Sequence, residues 1–255
     1  MDTSRKLITD MDLSNFFQNK DCQKVLKILN HKNETSRIVG GYVRNYLRNI
    51  ETKDIDIATK LIPDEVISLL SKAGIKTVPT GLSHGTISAF INDQTFEITT
   101  LRKDTNYDGR HADIEFTDDW AVDASRRDFT INAIYMNSDG DIYDPFDGIS
   151  DLNSGTVKFI GDPEKRIKED YLRILRYYRF LSFYDSSVDS ETRRLIKENA
   201  SSIVNLSSER IHMEFFKILD NDNSGKIINF MEEDGILELI FSLSLIHISE
   251  PTRQL

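Results

Sequence analysis

One cysteine, one tryptophan and five prolines are spread through 255 residues. A single thiol, Cys22, excludes an intrachain disulfide and a cysteine-rich zinc site. No HxH or HExxH spacing occurs, so zinc held by histidines is not expected either. No uninterrupted apolar run reaches the roughly 18 residues that a spanning helix needs, so no membrane partner is expected. The first residues, MDTSRKLITDMDLSNFF, lack the apolar centre of a secretory signal, and the expected setting is cytoplasmic. An excess of positive charge is also missing. The net charge is −10, which excludes nonspecific binding of a polyanion by the whole surface but leaves room for a local basic patch. Hydrophobic content of 39% and charged content of 29% fit a soluble globular chain with one large or two ordinary domains.

Apolar spacing divides the chain near residue 160, with no internal repeat. Before it, the pattern is α+β with a mixed sheet. Residues 12–30 carry Leu13, Phe16, Phe17, Val25, Leu26 and Leu29 at helical spacing. RIVGG reads as a short strand ending in a glycine turn, YVRNYLRN as about two helical turns, and KDIDIAT as an alternating strand. Pro63 opens a helix that Gly74 stops. TISAFI and TFEITT form a hairpin over NDQ. Residues 102–119 are polar throughout and read as a mobile loop with no element. ASRRDFTINAIYMN reads as a short helix or turn on the sheet, and DIYDPFDG as strand then turn. After residue 160 the reading is all helical. One long stripe (Ile167, Leu172, Leu175, Phe180) spans 163–183, and shorter helices follow near 189–199, 207–219, 223–232 and 235–241. The domains are therefore expected at 1–160 and 161–241. Residues 242–255, ending SEPTRQL, neither continue nor cap that pattern. They read as a non-native or disordered tail, with the native sequence continuing further.

Two carboxylates open the chemistry. Asp54 and Asp56 fall on one face of the KDIDIAT strand, about 7 Å apart at the backbone, where they can converge on a hard cation such as Mg²⁺. Alone, such a pair reads as a solvated strand edge. Its company favours a site. Gly40 and Gly41 let backbone amides approach a phosphate, and Arg44, one turn along the following helix, can clamp a phosphate oxygen. The P-loop lysine and hydroxyl are absent, as is a Rossmann fingerprint. Glu97, on the strand expected beside the carboxylates, is either a third carboxylate or an orienting group. His84, in the turn GLSHGT, packs or hydrogen-bonds locally.

Arginines supply the rest. Arg126 and Arg127 are adjacent, fork-shaped donors suited to a triphosphate. Asp128 can hold one of them, and Asn132 can reach a ribose hydroxyl or a backbone group. In KRIKEDYLRILRYYRF, Asp170, Arg173 and Arg176 accompany Glu169. On a continuous helix Asp170 and Arg173 share a face, either as an ion pair or to meet the edge of one base. Arg210 and Glu214, four apart, read as a brace.

Five stretches together resemble the class II tRNA nucleotidyltransferase (CCA-adding enzyme) and bacterial poly(A) polymerase family: GGYVRNYLRNIETKDIDIAT, SRRDFTINA, DPFDGISDL, EDYLRILRYYRF and ERIHMEFFKIL. The resemblance implies a polymerase-beta-like nucleotidyltransferase head followed by a helical neck and body. It implies Mg²⁺ on Asp54 and Asp56. Gly40, Gly41, Arg44, Arg126, Arg127, Asp128 and Asn132 would lie around the triphosphate and ribose. Asp170 and Arg173, with Arg176 nearby, would select the base. Asp144, Pro145 and Gly148 would form a hinge, and Arg210 and Glu214 the brace. The implied reaction is template-independent addition of CMP and AMP from CTP and ATP to the 3′ end of tRNA. The alternatives are poly(A) tailing of RNA 3′ ends and an RNA-binding remnant with little catalysis. Two departures stand out. Asn45 occupies a place where the family usually has aspartate, and Gly109, Arg110, His111 and Ala112 replace the usual GRRP.

Overall fold

Short strands and helices build the first half of the chain. Nine strands lie among the described residues: β1 (Ser36–Val39), β2 (Ile55–Thr59), β3 (Lys76–Gly81), β4 (Thr86–Ile91), β5 (Gln94–Thr100), β6 (Arg102–Thr105), β7 (Asp113–Phe116), β8 (Tyr135–Met136) and β9 (Ile142–Tyr143). Seven form a mixed sheet in the order β3-β4-β5-β2-β1-β8-β9, while β6 and β7 pair as a separate ribbon. Only β2 and β5 run parallel; every other pair is antiparallel. One register row across the sheet reads Ile87, Ile98, Ile57, Ile38, Met136. All five are buried, and α1 (Lys20–Leu29) and α3 (Pro63–Lys72) cover them with Val25, Leu26, Leu29, Val66 and Leu70. Each such side chain contributes about 1.5–3 kcal/mol by leaving water. The neighbouring row, on the opposite face, reads Ser88, Glu97, Asp56, Val39, Tyr135, Tyr143. Period-two geometry thus buries the isoleucines and, in the same stroke, aims the carboxylates the other way.

The computed structural model describes residues 19–105, 113–184 and 189–249. The chain divides into two units, one ending at Leu152 and the other beginning at Asn153. In the first, α2 (Gly41–Leu47) follows β1 and α4 (Trp120–Ser125) is capped by Asp119, while α5 (Gly148–Ser154) runs through the division at Leu152. The second is helical: α6 (Pro163–Glu169), α7 (Leu172–Leu181), α8 (Ser190–Asn199), α9 (Ser208–Leu219), α10 (Ser224–Glu233) and α11 (Ile236–Ser249). Ile174, Tyr178, Ile196, Ile203, Ile218 and Met231 are among its fully buried residues.

The structure corrects three expectations. The polar stretch 102–119 holds the β6–β7 ribbon, in register from Arg102 opposite Phe116 to Thr105 opposite Asp113; residues 106–112 lie outside the described chain. Only Ile114 and Phe116 of this ribbon are apolar, and two apolar residues in a short polar stretch are too few to announce a strand. The single helix expected over 163–183 is two helices. Asp170 is extended between them (φ −154°, ψ 106°), and its carboxylate accepts from the Leu172 amide at 3.1 Å, capping the second helix. Finally, the helix from Ile236 continues to Ser249 rather than ending near 241. The segment ILELIFSLSLIHIS has no glycine or proline to stop it. Residues 12–18 and 250–255 lie outside the described chain.

Candidate active site

Gly40 is the point where the elements of the first unit meet. Its φ of +74° and ψ of −127° belong to a region open to glycine alone, and this turn carries the chain from β1 into α2. A Cβ placed there would stand 3.6 Å from Arg127 Nη1, 3.7 Å from the Asn132 carbonyl oxygen and 4.0 Å from Asp56 Oδ2. Three residues from two separate stretches of sequence thus surround one backbone position. Gly41 follows, 3.9 Å from Arg44 Nη2 by the same measure.

Asp56 stands on β2 directly opposite Glu97 on β5, and Asp54 immediately precedes the strand. All three side chains are open to solvent on one side. Partial burial raises the Asp56 pKa, Glu97 and then Asp54 push it further the same way, and Arg127 pulls it down. Among the described residues no group of three or more His, Cys, Asp or Glu is arranged to hold a metal ion. The expected third-ligand role for Glu97 therefore has no support in this geometry; its role as a repulsive neighbour of Asp56 does. Two carboxylates still suit Mg²⁺, which completes its shell with phosphate and water. Their mutual repulsion is the strain that a cation would relieve.

Arg44 is buried. It donates from Nη1 to Asn132 Oδ1 at 2.6 Å, and from Nε and Nη2 to Asn45 Oδ1 at 3.2 and 3.0 Å. Asn132 Nδ2 in turn donates to Asp128 Oδ1 at 3.0 Å, which also accepts the Phe129 amide at 2.8 Å. Asn45 thus keeps Arg44 oriented without the charge of an aspartate.

Sequence reasoning missed Asp123. It is a carboxylate that holds both members of the arginine pair, where the sequence reading offered Asp128 for one of them. Arg126 Nε donates to Asp123 Oδ1 at 2.9 Å, and Arg127 Nη2 to Oδ2 at 3.2 Å. The Tyr135 hydroxyl donates to Oδ2 at 2.8 Å. Burial raises the Asp123 pKa, but Arg127 and Arg126 outweigh it and hold the group below the ordinary aspartate value. The available signal was spacing: Asp123 lies three and four residues before the arginines, one helical turn away.

The expected hinge residues form a tight turn within the first unit. Asp144 accepts the Gly148 and Ile149 amides, each at 2.8 Å. A Cβ on Gly148 would fall 2.3 Å from the Thr130 carbonyl oxygen, so only glycine fits. Pro145 lies inside this turn.

In the second unit Asp170 and Arg173 do not share one helix face. Asp170 Oδ2 accepts from Arg210 Nη2 at 2.9 Å. Arg173, 11% exposed at its side chain, donates from Nη1 to the Arg166 carbonyl at 2.6 Å and to Glu169 Oε2 at 2.7 Å. Arg210 and Glu214 brace the unit by reaching other elements rather than each other. Glu214 sits 2.9 Å from Arg179 and 3.9 Å from Arg176 on α7.

Residues 36–158 match the family described as the Poly A polymerase head domain, and residues 187–244 the one described as probable RNA and SrmB-binding site of polymerase A. The CCA tRNA nucleotidyltransferase 1, mitochondrial, of Mus musculus is 42% identical over 209 residues, covering 80% of this chain and 48% of that protein. Its Homo sapiens counterpart is 44% identical over 207 residues, covering 78% and 47%. The chain belongs to the CCA-adding enzyme and poly(A) polymerase family. A solved structure of the Bacillus stearothermophilus CCA-adding enzyme in complex with CTP superimposes with a TM-score of 0.76 at 31% identity, over 85% of this chain and 52% of that one. The chain thus spans about half the length of the relatives it matches. Among the described residues no helix is long and apolar enough to cross a membrane.

Proposed function

We propose that this chain adds CMP and AMP, from CTP and ATP, to the 3′ end of tRNA without a template and releases pyrophosphate. The observation that carries the reading is the convergence at Gly40 of Asp56, Arg127 and Asn132. It puts a carboxylate suited to a cation, a guanidinium suited to phosphate and a bend open to close approach at one point. Names of relatives add to it: several solved neighbours are CCA-adding enzymes in complex with CTP, ATP or tRNA.

Asp54 and Asp56 would hold Mg²⁺. When bound, the ion supplies charge neutralisation at the reacting phosphate and acidifies a nearby hydroxyl. The chain's own groups do the remainder. The RNA 3′-oxygen bonds to the α-phosphorus while the bond to the bridging oxygen breaks, and pyrophosphate departs. The proton of the attacking hydroxyl passes to a carboxylate of the site. Arg126 and Arg127 meet the charge that grows on the leaving group. Arg44, gripped by Asn132 and Asn45, fixes the wall behind it. Base selection by Asp170 and Arg173 rests on the family resemblance alone, since Asp170 is bonded to Arg210 and Arg173 to Glu169. The cytoplasmic setting belongs to the proposal; the mouse and human relatives carry "mitochondrial" in their names.

The test is product analysis. The chain is incubated with Mg²⁺, CTP, ATP and either tRNA lacking its terminal CCA or oligo(A). Ordered C, C and A additions restricted to tRNA support the reading. Long adenylate tracts on oligo(A) support tailing instead. Binding of RNA with no product from either substrate supports a non-catalytic remnant.

A further inference from the structure

Asp123 occupies a place that the chemistry above leaves unexplained. Its carboxylate is 1% exposed, while the side chains of Arg126 and Arg127 keep 16% and 19% of their surface open. Oδ1 accepts from Arg126 Nε at 2.9 Å and from the Arg102 amide at 3.2 Å. Oδ2 accepts from the Tyr135 hydroxyl at 2.8 Å and from Arg127 Nη2 at 3.2 Å. Both oxygens are therefore saturated, and the group has no capacity left for a ligand.

Tyr135 ties this cluster to the carboxylate row. It stands opposite Val39 in the sheet, and Val39 stands opposite Asp56. Arg127 lies over the Tyr135 ring, 5.3 Å from its centre, and donates from Nε to the hydroxyl at 3.2 Å. The same guanidinium points Nη1 toward Gly40.

We propose that Asp123, seconded by Tyr135, is a positioning residue that holds Arg126 and Arg127 side by side with their open edges toward the triphosphate of the incoming nucleotide. This rests on the function proposed above. Two neighbouring guanidiniums repel and, unrestrained, would spread over many rotamers. One buried carboxylate between them cancels part of that repulsion and fixes both forks before a ligand arrives. Preset donors bind phosphate without the cost of ordering two long side chains. A carboxylate serving only to pin α4 to the sheet would not need to grip both arginines.

The test uses the whole chain carrying Tyr135→Phe, Asp123→Glu or Asp123→Asn. Melting temperature, KM and kcat for CMP incorporation, CTP affinity, and the Nε–H resonances of Arg126 and Arg127 are measured for each. Tyr135→Phe, which removes one oxygen, is expected to fold, to raise KM and Kd for CTP about tenfold, the weight of one hydrogen bond to a charged group, and to lower kcat as well, because the same guanidiniums meet the charge on the leaving group. The Arg127 resonance should broaden. Asp123→Asn should have the larger effect on KM and broaden both resonances, and Asp123→Glu should restore part of it. A lowered melting temperature with wild-type KM and unaltered arginine resonances would overturn the proposal, leaving Asp123 a packing role. If Asp123→Asn does not fold, Tyr135→Phe carries the test. If the wild-type chain incorporates no nucleotide, the proposed function fails separately, and the resonances still decide whether Asp123 orders the arginines.

Discussion

Asp56 and Glu97 face each other in register across the one parallel strand pair of the sheet. Two like charges at this spacing are destabilising unless something positive lies close. Arg127 provides part of that compensation, and the site is arranged for a cation to provide the rest.

Glu97→Gln removes the repulsion while leaving the strand intact. The Asp56 pKa should then fall, because its second-largest upward push is gone. A carbon-13 carboxylate titration of the metal-free chain reads this directly. An unmoved or raised Asp56 pKa would contradict the pairing. Mg²⁺ affinity should drop only modestly, since Glu97 is not arranged as a ligand.

Gly148→Ala tests the fit of the DPFDG turn. Its Cβ would overlap the Thr130 carbonyl, so the backbone must shift. Overpacking of this kind costs about 1–3 kcal/mol, occasionally more. Urea unfolding should show it. Gly74→Ala serves as a comparison: a Cβ there meets nothing within 4 Å, leaving only the strain of its φ of +73°.

Asp234 sets the acid limit of the helical unit. Its side chain is fully buried and accepts from the Tyr178 hydroxyl at 2.6 Å and Arg193 Nε at 2.8 Å, with Lys197 3.0 Å away. Burial would raise its pKa, but Arg193, Tyr178 and Lys197 together hold it below the ordinary 3.8. A folded-state value below the unfolded one means that the stabilisation is complete above about pH 4 and is lost as pH falls further. Asp234→Asn should remove about 3 kcal/mol at neutral pH, as breaking a buried ion pair does. It should also flatten the loss of stability below pH 4, which denaturant midpoints measured across that range would reveal.

Asp170→Ala removes a helix cap and the Arg210 contact together. The cap alone is worth about 0.5–2 kcal/mol. If Asp170 also reads the base, preference for CTP and ATP over UTP and GTP should fall about 10- to 100-fold, the worth of one good base-edge contact. Arg210→Ala should cost stability with a smaller change in preference. Competition assays with all four nucleotides separate the two effects.

What the sequence made readable, and what it hid, follows from periodicity. Ile55 and Ile57 alternate with Asp54 and Asp56, so the face that carries the carboxylates could be read directly, and Glu97 could be placed on the neighbouring strand, though its register with Asp56 could not. Asp123 was hidden because WAVDAS is a short helix with no periodic mark, and its partner Tyr135 arrives from a different element. The break at Asp170 was hidden because apolar spacing runs on through it. Only the backbone angle and the caps reveal two helices. The β6–β7 ribbon was hidden because β6 (RKDT) has no apolar residue and β7 only Ile114 and Phe116, so the stretch resembles a loop in composition.

The most direct measurement is incorporation of labelled CMP into tRNA lacking CCA, at saturating Mg²⁺, by the wild-type chain and by Asp56→Ala with its fold verified by circular dichroism. The account predicts label transfer by the wild-type chain and a loss of about a thousandfold or more in the variant, the order of effect expected when a principal electrostatic group is removed. Equal transfer by the two proteins, or none by a folded wild-type chain, would contradict it.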